Sequence, residues 1–417
     1  MNLPYLPHDI LGVVVDEAES DRKTLRTLSL VSRAFVSPSQ RRLFKNLTIH
    51  PPSRTSKSSS VPKLCTNLRD VLRDNKHLHR YVQEVHLVEK ERGWLLCNIA
   101  EEILSLLSSS PIRRLSILFF TRPDTVNRRW GDLSSGFLRA VCKVLENPQF
   151  EHLTLFNVSL IPRHLPERFP NIRHLTLKTV TFASTSDDSV TTDRNQVQTT
   201  SRLQHLSLGR AGPGFLFSGV RFTYPFSDNN LSQIHSITLS LSKPPTVDIR
   251  PLLQLDHLKV LHIYFEFPSL LSRFYTRGHG LNFAALPSLE ELTFSGNPSE
   301  GEDKRYILPW DSEVKECLST YLPTSLRRLN VIFKLGTMKP GRFLDELRDT
   351  LLDLSKCLTS AYQRSEEMLE ITIGLETENQ MMPCLQRKAT SLLSWPEHED
   401  IWKVEFTYGP TLPYELY

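Results

Sequence analysis

The chain has no run of about 18 consecutive apolar residues, so its sequence holds no candidate helical membrane span. Its first residues lack a basic stretch followed by an apolar core, and no secretory leader is expected. Cysteine is sparse, with 6 in 417 residues, and none stands in a C-x-x-C pair. Cys65, Cys97, Cys142, Cys317, Cys357 and Cys384 therefore read as buried, reduced thiols of a cytoplasmic or nuclear protein. An excess of one charge is missing too: 50 Lys+Arg face 46 Asp+Glu, for a net +4. That surplus makes no case for nucleic acid or a membrane surface as partner. No Ser/His/Asp, Cys/His or paired-carboxylate arrangement has a local signature. Gly209, Gly212 and Gly214, after "LSL", fit neither G-x-G-x-x-G nor G-x-x-x-x-G-K-[ST] and read as a turn. The sequence thus offers no catalytic residue, no cofactor site and no metal ligand set.

What is present is a globular composition, 39% apolar and 23% charged, over a length that suits more than one domain. One phrase keeps returning: apolar-x-x-apolar-x-apolar. It occurs at Phe44/Leu47/Ile49, Val82/Val85/Leu87, Ile112/Leu115/Ile117, Phe150/Leu153/Leu155, Ile172/Leu175/Leu177 and Leu203/Leu206/Leu208. It continues at Ile234/Ile237/Leu239, Leu258/Leu261/Ile263, Leu289/Leu292/Phe294, Leu326/Leu329/Val331, Met368/Ile371/Ile373 and Ile401/Val404/Phe406. The spacing alone is cheap at this composition. Two features give it weight. The residue between the last two apolars is Ser or Thr in eight of the twelve windows, as a strand with one wet face requires. The windows also stand 22 to 42 residues apart, with helix-like segments between several of them, at 98–107, 134–146, 311–322 and 342–363. Short strand, return segment, short strand is the pattern of a solenoid. The stretches 51–60, 183–201 and 296–305 are poor in apolar residues and read as linker or loop, the second of them as mobile.

The repeated phrase is similar to the L-x-x-L-x-L core of leucine-rich repeats. "FEHLTLFNVSL" and "NIRHLTLKTVTF" extend it, and Asn297 in "LEELTFSGNPS" stands where that family places an asparagine. The resemblance implies an irregular repeat domain with a curved parallel sheet over 81–417, offering its concave face to a protein. The front of the chain, "LPHDILGVVVDEA…DRKTLRTLSLVSRAFVSPSQRRLFKNL", resembles an F-box, over some 40 residues and in the family's order. A helix over Ile10, Leu11 and Val14 is followed by a second one carrying Leu25, Leu28, Val31 and Phe35. Ala18, Asp9 and Phe35 depart from the residues most common there. Together the two resemblances look like the fungal class of F-box proteins.

The expected fold is therefore α/β: an F-box helical unit at 1–50, a linker and first connecting helix at 51–80, and the repeat domain beyond. The resemblance implies a substrate-recognition adaptor of a Skp–cullin–F-box ubiquitin ligase, with no chemistry on this chain. Leu6, Pro7, Ile10, Leu11, Val14, Leu25, Leu28, Val31, Ser32 and Phe35 would meet the Skp-type adaptor. A stand-alone leucine-rich-repeat binding module, with the first helices acting only as a cap, is the rival reading. Candidate substrate contacts are His152, Phe156, His174, His205 and Tyr264. The three histidines precede the second apolar residue of their windows, so parallel strands would stack them about 4.8 Å apart on one face. Such a row could hold zinc or sense pH, but surface residues satisfied by neighbouring hydroxyls is the preferred reading. Arginine pairs at 113–114, 128–129 and 327–328 are offset by Glu290, Glu291 and Glu370, so the face reads as mixed in charge.

Overall fold

The computed structural model describes residues 7–19, 21–49, 63–89, 94–120, 128–162, 169–180, 202–209, 233–241, 255–265, 283–297, 322–336, 348–364, 369–377 and 402–408, with short pieces between them. The segments 51–60 and 183–201, and Leu6, lie outside the described residues. The chain is α/β and divides into two compact units, residues 1–203 and 204–417.

The first unit opens with α1 (His8–Glu17), α2 (Arg22–Val31) and α3 (Arg33–Lys45). Pro7 precedes α1, and its carbonyl accepts from the amides of Ile10 and Leu11. Asp9 in the first turn suits the positive end of the helix. Asp21 caps α2 by accepting from the Lys23 amide at 2.9 Å and from the Thr24 hydroxyl at 2.7 Å. These bonds to the ionised form hold its carboxyl below the usual range. The sequence predicts one helix running from Leu25 to Phe35, but the chain breaks at Ser32. That residue is extended (φ −153°, ψ 144°), and its hydroxyl accepts from the Ala34 amide at 3.3 Å. A serine can serve as the N-cap of a new helix, which the apolar spacing does not reveal.

β1 (Asn46–Ile49) follows α3 directly, so the helices lead straight into a sheet. Then come α4 (Lys63–Asp74), β2 (Glu84–Glu89), α5 (Asn98–Leu107), β3 (Arg114–Phe119), α6 (Ser135–Leu145), β4 (His152–Phe156) and β5 (His174–Lys178). These five strands pair in chain order and all in parallel. Each repeated window lands in the same register. Leu47, Val85, Leu115, Leu153 and Leu175 form one row and Ile49, Leu87, Ile117, Leu155 and Leu177 the next. All are buried, and so are Val82, Ile112, Phe150 and Ile172, the first apolar residues of the later windows in these strands. α5 and α6 present the helical counterpart, with Ile103, Leu104 and Leu107 buried on one and Phe137, Val141 and Val144 on the other. Each such side chain contributes roughly 1.5–3 kcal/mol of transfer free energy. Val85, Leu87 and Ile117 thus tie residues far apart in sequence into one layer. At the outer side of β1, Arg22 donates to the Asn46 carbonyl at 3.0 Å.

The second unit repeats the scheme with β6 (His205–Gly209), β7 (Ser236–Leu241), β8 (Val260–Phe265), β9 (Glu291–Gly296), β10 (Arg328–Gly336), β11 (Glu370–Thr377) and β12 (Trp402–Tyr408). They too are parallel and in chain order. Leu206, Ile237, Leu261, Leu292, Leu329 and Ile371 share a row. A helix α7 (Arg348–Arg364) returns the chain from β10 to β11. At β12 the register departs from the window pattern: Val404 pairs with Ile373, one pleat further along than the repeated phrase predicts. The stretch 296–305 is not loop throughout, since Ser299–Glu300 pairs antiparallel with Tyr306–Ile307.

Candidate functional site

Two kinds of surface stand out: the outside of the first helices and the outward sides of the strands. In α1 the run Val13-Val14-Val15 cannot bury all three members, because successive residues point about 100° apart on a helix. Val15 goes in. Val13 and Val14 are 60% and 40% exposed, Ile10 is 47%, and at the end of α2 Leu30 and Val31 are 87% and 69%. Of the predicted contact residues, Pro7, Ile10, Val14, Val31 and Ser32 are exposed, and Leu28 and Phe35 are half-buried. Leu11 and Leu25 are a correction. They are spent on the unit's own interior, at 2% and 1% exposure, and present nothing to a partner. Val13 and Leu30 are exposed too and were not predicted. Val13 lies beside the anchor positions of the family pattern, and Leu30 follows directly on Leu28. The same helical unit holds ion pairs: Arg42 binds Asp16 and Glu19, and Lys45 also reaches Glu19.

On the outward face of the first unit's strands, parallel register sets like against like. His152 stands opposite His174, and their rings stack with centroids 3.9 Å apart and planes 10° apart. One strand end further, Phe156 packs on Phe120 with centroids 5.0 Å apart. A further histidine, His86, bonds through Nδ1 to the Ser116 hydroxyl at 2.9 Å. Burial lowers its pKa, and Glu84 only partly opposes that. Asn157, directly after β4, takes a left-handed conformation (φ 58°) and donates its amide to the Phe119 carbonyl at 3.0 Å. His205 belongs to the second unit, at the exposed start of β6, with its pKa lowered by burial and by His235.

The second unit carries the more enclosed cluster. His262 on β8 meets the Ser295 hydroxyl of β9 at 2.6 Å. Tyr264 donates to the Asn297 amide oxygen at 3.2 Å, and the Lys334 ammonium sits over its ring at 5.0 Å while also facing Glu376 at 3.6 Å. Asn330 donates to Thr293 at 3.0 Å and to Glu291 at 3.3 Å. Burial, reinforced by Lys334, pushes the His262 pKa down to about 4, so the ring is neutral at physiological pH. A histidine bonded to a serine suggests acyl transfer, but Ser295 is shut off from solvent and cannot reach a substrate. The arrangement can donate, accept and stack; it does not activate a nucleophile. Of this group the sequence singled out Tyr264, Glu291 and Asn297, the last two for other reasons. His262, Ser295, Asn330 and Lys334 share the outward parity of their strands, which is the signal that would have found them.

Among the described residues no three His, Cys, Asp or Glu side chains come together to hold a metal ion, and no helix is long and apolar enough to cross a membrane. Cys65 is buried, and its thiol is pushed up to about 11 by desolvation and by Glu89. No family model matches the chain, and no curated protein matches it.

Proposed function

We propose that the chain is a substrate-recognition adaptor of a Skp–cullin–F-box ubiquitin ligase, with the α1–α2 surface as the adaptor dock and the outward strand faces as the substrate surface. One observation carries the reading: Ile10, Val13, Val14, Leu30 and Val31 are left as apolar side chains in water, although the same helices bury Leu11, Val15 and Leu25. A helix pair that only capped a sheet would turn such residues inward, because each exposed aliphatic forgoes its transfer free energy. The F-box resemblance supplies the kind of partner that fits. Catalysis would then be proximity: a substrate held near a charged conjugating enzyme, with no reaction on this chain. Its neutral, hydrogen-bonded strand faces suit polypeptide recognition in the cytoplasm or nucleus.

The test is capture of a purified Skp-type adaptor by the full chain, against an Ile10→Asp/Leu30→Asp variant. Both side chains point into solvent, so the variant keeps the fold. Placing two carboxylates in an apolar contact is expected to weaken capture roughly a hundredfold or more. Equal capture by both proteins, or capture by neither, overturns the reading in favour of a stand-alone binding module.

A further inference from the structure

We propose that Ser37 is a phosphorylation site for a proline-directed serine kinase, with Arg41 and Arg80 placed to receive the phosphate. The site does not depend on the adaptor reading, because it lies at the joint between α3 and the strands. The chain contains two Ser-Pro dipeptides, Ser37-Pro38 and Ser110-Pro111, and no Thr-Pro. Proline directly after the acceptor is what such a kinase selects. Ser110 is 1% exposed and closed to an enzyme, whereas Ser37 is exposed on α3. Burial therefore leaves one accessible acceptor. A kinase also takes its acceptor in an extended segment, and the start of α3 is the part best able to supply one. Pro38 stands inside the helix without an amide hydrogen, so the Ala34 carbonyl loses its partner one turn back. The capping bond from Ser32 is long, at 3.3 Å. Residues 33–38 can thus open while the remainder of α3 stays folded.

The surroundings of the hydroxyl are cationic. Ser37 is bonded to the Tyr81 hydroxyl at 3.1 Å, and Arg80 donates to the same Tyr81 oxygen at 2.9 Å. Arg41 follows Ser37 by four residues, which sets both on one face of α3. The Ser37 bond, then Arg80 and Arg41, hold the Tyr81 phenol below its usual range against the effect of burial, and no carboxylate is among the groups acting on it. Arg41 and Arg80 make no ion pair among the described residues, although Arg42 and Lys45 on the same helix are matched with Asp16 and Glu19. Two guanidinium groups thus converge on one hydroxyl with no anion between them. In the transfer, Ser37 Oγ forms a bond to the γ-phosphorus of ATP, the bond to the ADP oxygen breaks, and the hydroxyl proton passes to the kinase's base. The product carries a charge of about −1.5 to −2 at pH 7 and three acceptor oxygens. Arginine binds such a group with paired, charge-assisted hydrogen bonds. The phosphate would staple α3 to the turn Lys76–Tyr81, which leads into β2.

The full chain is incubated with a purified, active proline-directed serine kinase and ATP, and the phosphate is located by mass spectrometry of its peptides. Wild type is expected to carry phosphate at Ser37 and Pro38→Ala to carry none there. Pro38→Ala is expected to unfold at the same or a higher temperature, since the helix interior loses its proline. No phosphate at Ser37 in wild type, or as much in Pro38→Ala, overturns the proposal. In the modified chain, titration followed by phosphorus NMR is expected to place the second ionisation of the phosphate at about 5 or below, against its usual value of about 6. Unfolding is expected about 2–4 °C higher than in the unmodified chain. In Arg41→Gln/Arg80→Gln, Ser37 should still take the phosphate while both effects vanish. A phosphate that titrates near its usual value in wild type, or equally low in that variant, also overturns the proposal, because the arginines would then not receive it.

Discussion

His262 shows what half-burial does to a polar side chain on the outward face of a sheet. Its ordinary pKa of 6.5 falls to about 4 in the folded chain. Between those values the unfolded chain binds the proton and the folded chain does not. The neutral ring's stabilisation is therefore present above about pH 6.5 and is lost as pH drops toward 4, by at most about 3 kcal/mol. Urea unfolding at pH 7 and pH 5 should show the wild type losing stability on acidification and His262→Asn losing less of it; equal losses would remove His262 as the cause. Such a residue is only partly legible in the sequence. The outward parity of position 262 follows from Leu261 and Ile263. Its burial and its bond to Ser295 depend on a strand some 30 residues away. Leu11 and Val14 make the same point in reverse. Both fit the family pattern and both are apolar, yet the packing of α1 sends one inside and leaves the other in water.

At the scale of elements, the alternation was readable because burial follows it residue by residue. In β4 and β5 the pairs Leu153/Leu155 and Leu175/Leu177 are buried, and the intervening Thr154 and Thr176 are half-exposed. The period of two is imposed by the pleat itself and needs no tertiary knowledge. The break at Ser32 was not readable, because Val31 and Phe35 suit a continuous helix as well as two. Ser32→Ala removes the cap of α3 and should lower the unfolding free energy by about 0.5–2 kcal/mol, while Ser32→Asp should restore it, since aspartate caps as well as serine. Thermal denaturation of the three proteins decides the matter, and an alanine variant as stable as wild type would show the cap to be idle. Register was legible only up to β11. At β12 the window Ile401/Val404/Phe406 predicts one alignment, and the strand adopts another, with Trp402 opposite Ile371.

On the scale of the whole chain, both units carry parallel strands in chain order with buried rows, Leu115 and Leu153 in one and Leu261 and Leu292 in the other. Strands that pair only with their neighbours in chain order predict melting that is not all-or-none. Calorimetry of the full chain should give a calorimetric enthalpy above the van't Hoff value; equality of the two would show one cooperative transition. The division near residue 203 follows the apolar-poor stretch 183–201, which the sequence marks as a loop inside one repeat domain and not as a boundary. The helical front end was legible as a unit, and the window at Phe44/Leu47/Ile49 already marked the strand that joins it to the sheet. β1 carries the α3 chain straight into register with Glu84 to Leu87.

That join has a consequence for how the protein survives at high concentration. Among the described residues β1 pairs only with β2, so its other flank is where a stray polypeptide would add itself. The flank is four residues long. Successive carbonyls of a strand point to opposite sides, and because the Lys45 carbonyl accepts from Gln83, the Asn46 carbonyl faces away from the sheet. Arg22 already fills it. A fibril growing from this side would have to evict a guanidinium to gain its first rung, and would then run out of template within a single turn of the pleat.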